Sequence, residues 1–310
     1  MTERGQSLVV SVLFLVVLAG MAITVLDFGS WYRADRKLQA NADAAALAGA
    51  QELPESTAAA TAVAVAYADK NDGGVAPAGV TFRKTAVTND TIVVNAERPA
   101  PGFFAKLFGW ASVQVHAKAV ARVGTLDRAR WGAPVGVDYR HPMLQCGETC
   151  WNPDHLTTLD FDKVGPGAFR LLNIDSSYGG TGPSDLGDWI RSGLDAWMDK
   201  DRWYYSDPGI KPNSSHIKEA LEFRDETELL FPVYNDTRAQ GAGFEYYVIG
   251  WAVFHVTNYE IHGVNESRID GYFVDMVWEG ILSGPGDDDG DDDDDDPDPH
   301  FGARAVALIE

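Results

Sequence analysis

The sequence has little cysteine, little basic charge and few long apolar runs. Of its 310 residues only two are cysteines, and 25 lysines and arginines stand against 46 aspartates and glutamates. The resulting net charge of −21 argues against binding to nucleic acid or to an anionic membrane surface, because both repel an acidic protein. An apolar share of 45% with nine tryptophans is typical of a chain with a packed core and excludes a wholly disordered one.

The familiar signatures of catalysis are also absent from the sequence. It contains no G-x-S-x-G nucleophile elbow, no phosphate-binding G-x-x-x-x-G-K-[ST] loop and no zinc-binding H-E-x-x-H helix. Its seven histidines are scattered, and no carboxylate stands in a pattern that predicts acid–base catalysis. The sequence therefore predicts a protein that is not an enzyme. A membrane-bound hydrolase is an alternative only if distant residues assemble a site in space.

The two cysteines, Cys146 and Cys150, lie close together and are flanked by His141 and His155. The four residues read H-x4-C-x3-C-x4-H, so two thiolates and two imidazoles are available for a tetrahedral zinc ion. Thiols outside the cytoplasm would instead be oxidised. We expect a local disulfide between Cys146 and Cys150, and free cysteines and a zinc site are the alternatives.

One long run without charge is present, SLVVSVLFLVVLAGMAITVL at residues 7–26. As a helix it would be about 30 Å long, which matches the hydrocarbon core of a bilayer. Signal peptides have a shorter apolar core and end at a small-x-small triplet. The one such triplet, residues 20–22, is followed by further apolar residues, and Trp31 and Tyr32 lie where an aromatic belt would be. The run predicts a retained single-pass membrane anchor; a long cleaved signal and a buried helix are the alternatives.

The anchor helix is predicted to continue as an alanine-rich helix over residues 31–53, because alanine is the best helix former and no breaker precedes Gly49. Small residues and one leucine repeat at three- and four-residue spacing along it, which places them on one face. These residues are Leu38, Ala42, Ala45, Ala46 and Gly49. They predict a helix-packing surface, either for another protein's helix or for the rest of this chain.

The remainder predicts an α+β protein in three parts: a membrane anchor at 1–30, a helical stalk with a small α+β unit at 31–123, and a β-rich extracytoplasmic domain at 124–310. Helices are predicted over residues 55–69, 101–110, 185–199 and 216–223. Strands are predicted over residues 80–87, 91–96, 112–123, 228–235, 244–262, 269–282 and 301–309. Residues 124–133 show no clear periodicity and predict a connector between the second and third parts.

An acidic loop, GPGDDDGDDDDDDPDP at residues 284–299, contains ten aspartates. Its like charges repel and its low complexity favours a solvated, extended segment. Clustered carboxylates are also the ligands that calcium prefers. The weak calcium candidates are Asp287, Asp288, Asp289, Asp291, Asp292 and Asp293. No other cofactor is expected.

The N-terminal sequence resembles the TadE/TadG-like family of Tad pilus-assembly proteins. Members begin with Arg-Gly, an apolar span, an aspartate and an aromatic residue, followed by a helix with the pattern seen here at Leu38-Gln39, Asp43 and residues 44–50. Some relatives are cleaved after a glycine that precedes a glutamate by five residues. Here Gly5 is followed at that distance by Val10, so the resemblance predicts that this chain is not processed.

The resemblance implies a structural role, as a minor pilin-like or pseudopilin-like scaffold without catalysis. It places the anchor in the cytoplasmic membrane, with the N-terminus inside and the bulk of the chain outside. This overrides the weak charge bias around the run, which by itself would place the second flank in the cytoplasm. The partners it implies are the membrane and other pilus-assembly proteins, reached through the N-terminal helix, in a homo- or hetero-oligomer. The alternative function is a surface-exposed, calcium-responsive adhesin or binding protein.

Overall fold

A computed structural model describes residues 4–109, 111–161, 169–177, 181–206, 214–240, 243–262, 267–284 and 299–309. The chain divides into two compact units. Unit 1 comprises Met1–Arg122 with Leu308–Glu310, and unit 2 comprises Val123–Ala307. Both units combine helices with mainly antiparallel strands, which confirms the predicted α+β class.

Unit 1 begins with a single long helix, α1 (Arg4–Ala50). A second helix, α2 (Thr57–Lys70), begins at Ser56, whose hydroxyl accepts a hydrogen bond from the Ala59 N–H at 3.1 Å. This is the usual N-cap arrangement, and it satisfies a backbone donor that the first turn leaves free. The alanines at 60, 64 and 68 face inward from α2 and are fully buried.

An antiparallel sheet of unit 1 packs against these helices. It contains β1 (Val75–Arg83), β2 (Thr91–Pro101) and the first part of β3 (Ser112–Ala129). In the β1–β2 turn the Asp90 carboxylate accepts the backbone N–H groups of residues 85, 86 and 87. Between β2 and β3 the structure has a 3₁₀ turn at Ala105–Phe108 instead of the α-helix predicted over 101–110.

The connector predicted over residues 124–133 is wrong, because β3 continues to Ala129. Leu126 and Ala129 are buried in unit 2, whereas Arg128 faces outward and forms an ion pair with Asp199 at 2.7 Å. The charged residues in this part of β3 obscure the alternation of buried and exposed positions that would predict a strand. The boundary between the two units therefore falls inside a continuous strand.

Unit 2 is built on a seven-stranded sheet in the order β5-β11-β10-β9-β4-β6, with β8 also paired to β10. Where the structure describes this sheet, its strand pairs are antiparallel except β4 with β9, which is parallel. The strands are β4 (Val135–Asp138), β5 (Thr157–Asp160), β6 (Phe169–Leu171), β8 (Arg202–Ser206), β9 (Glu228–Gln240), β10 (Gly243–Ile261) and β11 (Ser267–Val274). The long antiparallel β10–β11 pairing joins the strand predicted over residues 244–262 to the first part of the strand predicted over 269–282.

Two apolar cores lie among the described residues of unit 2. The first contains the ring cluster of Phe231, Phe254 and Phe273, and α4 (Pro183–Ser192) and α5 (Ser215–Phe223) pack into it. The second core contains Tyr204, Trp251, Met198, Ala303 and Ala305, with Leu282 packed against it. The last four residues lie on three of the four short strands that pair with one another or with the second part of β3. These strands are β7 (Met198–Asp199), β12 (Met276–Val277), β13 (Gly280–Leu282) and β14 (Ala303–Leu308).

The helix predicted over 185–199 ends seven residues early, because Gly193 closes it. Gly193 has φ +76°, a backbone conformation that favours glycine, and a Cβ there would lie 2.4 Å from the Trp131 carbonyl oxygen. The chain then turns away, and Met198 enters the second core in β7.

The single strand predicted over 269–282 is also wrong, because the segment changes sheets. It is interrupted at Asp275, whose carboxylate binds the Arg304 Nε at 2.7 Å. Before that point β11 pairs with β10, and after it β12 pairs with β14 in parallel and β13 pairs with β3. A strand changes sheets in this way because of its tertiary partners. The sequence still alternates between apolar and polar residues, so it predicts a single strand.

Candidate functional site

The first candidate site is the exposed apolar half of α1. Residues 8–26 are exposed almost throughout; Leu8 and Val25 are 68% and 70% exposed. A core helix of a soluble protein would bury such residues, and a contiguous exposed apolar surface of this length requires another apolar environment. Helix α1 is long and apolar enough to cross a membrane. It fits a single-pass membrane anchor.

Asp27, the first charged residue after the run, is nearly completely buried in unit 1. Its carboxylate binds the backbone of the loop between β2 and β3. The Phe103 N–H donates to Oδ1 at 2.7 Å, the Ala105 N–H donates to Oδ2 at 2.6 Å, and the Phe104 N–H lies 3.1 and 3.2 Å from the two oxygens. Three amide donors compensate a buried carboxylate for the hydration it loses. Asp27 therefore fastens this loop to the end of the apolar run.

Aromatic side chains surround this attachment point. Phe28, Tyr32 and Phe103 are exposed by 62%, 60% and 68%. The rings of Phe28 and Trp31 meet edge to face at 5.4 Å, and the Tyr32 hydroxyl accepts a hydrogen bond from Arg36 Nε at 3.0 Å. Aromatic rings with nearby cations are enriched where a protein leaves a bilayer. The arrangement fits the water–membrane boundary of an anchor.

The small-residue surface of α1 lies buried within unit 1. All five predicted residues, Leu38, Ala42, Ala45, Ala46 and Gly49, are buried where α1 packs against α2 and β2. Beside them Asn41 donates from Nδ2 to the Ala68 and Gly73 carbonyls at 3.3 and 2.7 Å, which fixes the C-terminal end of α2. This face is covered by its own chain, whereas the apolar residues at 8–26 are exposed almost throughout.

Helix α1 also contains most of the segment that matches a known protein family. Residues 5–52 match the Tad family model, described as putative Flp pilus-assembly TadE/G-like. This segment is TadE/G-like. Comparison with curated proteins and with solved structures gives no match. The match covers the anchor, Asp27 and the buried surface of α1, and it confirms the resemblance that the sequence shows.

Outside the TadE/G-like segment, the structure joins Cys146 and Cys150 in a disulfide, as predicted. The zinc alternative does not form among these residues. His141 Nδ1 accepts the Met143 N–H at 3.2 Å, and His155 Nδ1 lies 3.0 Å from Asn152 Oδ1. The histidines serve as local hydrogen-bonding residues in the neighbouring turns. The disulfide closes a loop of only a few residues, so it shapes this turn more than it stabilises unit 2.

His141 is buried beside the edge of the Phe273 ring. Burial lowers the pKa of His141 to about 4, although the nearby Asp138 carboxylate opposes the shift. Between about pH 6.5 and pH 4 the unfolded chain therefore binds a proton that the folded chain does not. We expect acidification through this range to lower the free energy of unfolding of unit 2 by up to about 3 kcal/mol.

The measurement is denaturant unfolding of the full chain in detergent, followed by tryptophan fluorescence at several pH values. Because a glutamine side chain at this position could still accept the Met143 N–H but does not titrate, His141→Gln should remove most of this pH dependence. Replacing the exposed His116, which lies in unit 1, should leave it intact. Equal pH dependence in wild type and His141→Gln would contradict the assignment.

The structure also brings together Glu148, Asp275 and His300, whose potential ligand atoms lie within 4.8 Å of one another. Asp275 is already paired with Arg304, and a cation would have to compete with that guanidinium. The calcium candidates Asp287, Asp288, Asp289, Asp291, Asp292 and Asp293 lie outside the described residues. Calcium binding by the acidic loop therefore stays a prediction.

Sequence reasoning did not predict the role of Asp27 or of the loop it binds. The sequence indicates Asp27 only as the aspartate of the family pattern and as one of the charges beside the apolar run, and it predicts a helix over residues 101–110. The available indications were a lone acid directly after an apolar run and a second apolar segment at residues 101–110. The 76-residue separation between Asp27 and Phe103 left no periodicity that could join them.

Proposed function

We propose that this chain is a membrane-anchored structural component of a Tad-type pilus-assembly or secretion system. It acts as a minor pilin-like or pseudopilin-like scaffold and performs no catalysis. The observation that carries the proposal is the TadE/G-like match over residues 5–52, which coincides with a helix whose first half is exposed and apolar and whose second half is the core of a folded unit.

The proposed location is the cytoplasmic membrane, with the N-terminus inside and both units outside. The disulfide between Cys146 and Cys150 supports this orientation, because structural disulfides persist in oxidising compartments. The buried face of α1 at residues 38–49 leaves residues 8–26 for contacts with the apolar helices of other pilus-assembly proteins. Within the membrane such contacts depend on close packing, and small residues in the run, such as Gly20, favour them.

The function is tested by deleting the gene in its own cell and measuring filament protein sheared from the surface. Deletion should abolish or strongly reduce filaments, and the full chain should restore them. A matched variant, residues 27–310 exported by a cleavable signal, should fold but fail to restore them. Filaments that persist without the gene, or that the anchorless variant restores fully, would contradict the proposal.

The alternative function, a calcium-responsive adhesin, is favoured by one observation. Glu148, Asp275 and His300 cluster in unit 2, and His300 follows the acidic loop directly in the sequence. The scaffold proposal expects filament number to be unchanged by calcium chelation or by deletion of residues 287–298. Surface adhesion that is lost under either treatment, while filaments remain, would favour the alternative.

A further inference from the structure

We propose that the loop at residues 102–109 is a second membrane contact, seated in the interfacial layer of the bilayer that α1 crosses, with Phe103 as its inserted side chain. The inference rests on the proposed anchoring and adds an interaction surface that the anchor does not require. It is based on three observations: hydrogen bonds hold the loop beside Asp27, the loop exposes Phe103, and exposed apolar residues of α1 lie next to it.

The loop is fixed at the level where the apolar run ends. The Gly102 N–H donates to the Ala111 carbonyl at 3.2 Å and closes its base. The Asp27 carboxylate accepts hydrogen bonds from the backbone N–H groups of residues 103–105 and so holds the first half of the loop. Asp27 follows Leu26, the last residue of the run, so the Phe103 backbone lies beside the boundary between the apolar helix and its polar continuation.

The side chains presented there suit a lipid interface. Phe103 is 68% exposed, although its backbone is held in place by hydrogen bonds. Leu26 and Phe28 on α1 are also exposed, so the surface of the anchor continues onto the loop. Lys106 is exposed in the same turn and can reach lipid phosphate groups while its stem stays in apolar surroundings. Aromatic and basic residues at such a level are typical of membrane interfaces.

We assign this surface to lipid, because it is continuous with the exposed apolar surface of α1, which itself requires lipid. A second copy of the chain is the competing occupant and is an outcome of the test. Two attachments on one unit would limit how freely unit 1 tilts about its anchor. Asp27 is then a positioning residue, which holds the loop at the depth that α1 sets.

The test uses the full chain in nanodiscs of phosphatidylcholine and phosphatidylglycerol, with a fluorescent NBD label on a single introduced cysteine. The native cysteines are joined to each other, so the introduced thiol alone reacts. Labels are placed in Phe103→Cys, in Val87→Cys and in Val16→Cys. Val87 is the matched control, because it is exposed in the turn at the other end of β2, roughly 30 Å away along the strand.

We expect nitroxide-bearing lipids to quench the label at 103 roughly tenfold more than the label at 87, because position 103 lies in the interfacial layer and position 87 lies in water. Iodide in the water should quench 87 and spare 103. Adding Asp27→Ala should make 103 accessible to iodide without changing quenching at 16.

Three outcomes would overturn the proposal. Residue 103 could be as accessible to iodide as residue 87; it could be shielded from both iodide and lipid nitroxides, which indicates a second copy; or Asp27→Ala could leave it unchanged. Failure of the anchor itself is distinguishable, because the label at 16 would then escape lipid quenching too.

Discussion

Replacing Val16 and Val17 with arginine is expected to remove the protein from the membrane. Both residues lie at the centre of the apolar run and are exposed, so neither change disturbs a contact within the chain. Each arginine at the centre of a spanning helix costs roughly 2.5–3.5 kcal/mol for insertion. Two of them offset most of what the surrounding leucines and valines contribute. We expect the protein to leave the alkali-resistant membrane fraction and to be found soluble or degraded.

The matched control replaces the same two residues with leucine, which should leave the protein in the membrane. A second readout comes from Cys146 and Cys150. If the arginine variant is not exported, both thiols stay in a reducing compartment and should react with a maleimide before any reductant is added. A variant that remains in the membrane at the wild-type level with its disulfide intact would show that this run does not span the bilayer.

Adding one methyl group to Gly49 is expected to destabilise unit 1, whereas the same change at Gly29 is expected to stabilise it. Alanine is favoured over glycine by about 1 kcal/mol in an exposed helix, and a Cβ at Gly29 has nothing within 4 Å. At Gly49 a Cβ would lie 2.9 Å from the Ala60 carbonyl oxygen and 2.7 Å from Ile92 Cδ1. The backbone of α2 would have to move, and overpacking of this kind costs about 1–3 kcal/mol.

The measurement is hydrogen exchange of the α2 amides in the full chain in detergent. Hydrogen exchange of these amides reports on unit 1 alone. Tryptophan fluorescence would report mainly on unit 2, which contains most of the tryptophans. Gly49→Ala should accelerate exchange in α2 by about tenfold, equivalent to about 1.4 kcal/mol, and Gly29→Ala should leave it equal or slower. Equal behaviour of the two variants would contradict the close packing of α1 on α2.

The parts of the fold that the sequence predicts well are those in which local pattern and tertiary environment agree. The apolar run, the alanine-rich continuation of α1, α2 and the β10–β11 hairpin are each indicated by the composition or the apolar alternation of a long segment. Each is stabilised largely by neighbours in sequence or by one adjacent element. Composition and period are then sufficient.

The errors occur where a distant residue decides the local structure. Gly193 ends α4 because the chain must pass close to Trp131, and Asp275 interrupts a strand because Arg304 binds it. The alternating pattern of β3 is hidden by Asp127 and Arg128, whose charges lie between the buried Leu126 and Ala129. None of these partners can be identified from spacing alone.

The candidate site divides in the same way. The anchor is readable from length and composition, and so is the small-residue surface of α1, although its partner was left open and proved to lie within unit 1. The attachment of the loop at 102–109 to Asp27 is evident only in the folded structure, because it joins the middle of α1 to a turn far along the chain.

The most direct test of the account is the intact mass of the native protein extracted from membranes with detergent, combined with the sequence of its N-terminus. We expect a mature chain that keeps residues 8–26 covalently attached to units 1 and 2. A mature chain that begins after Leu26 would contradict it, because the apolar helix would then be a removed signal and could neither anchor a scaffold nor set the depth of the Phe103 loop.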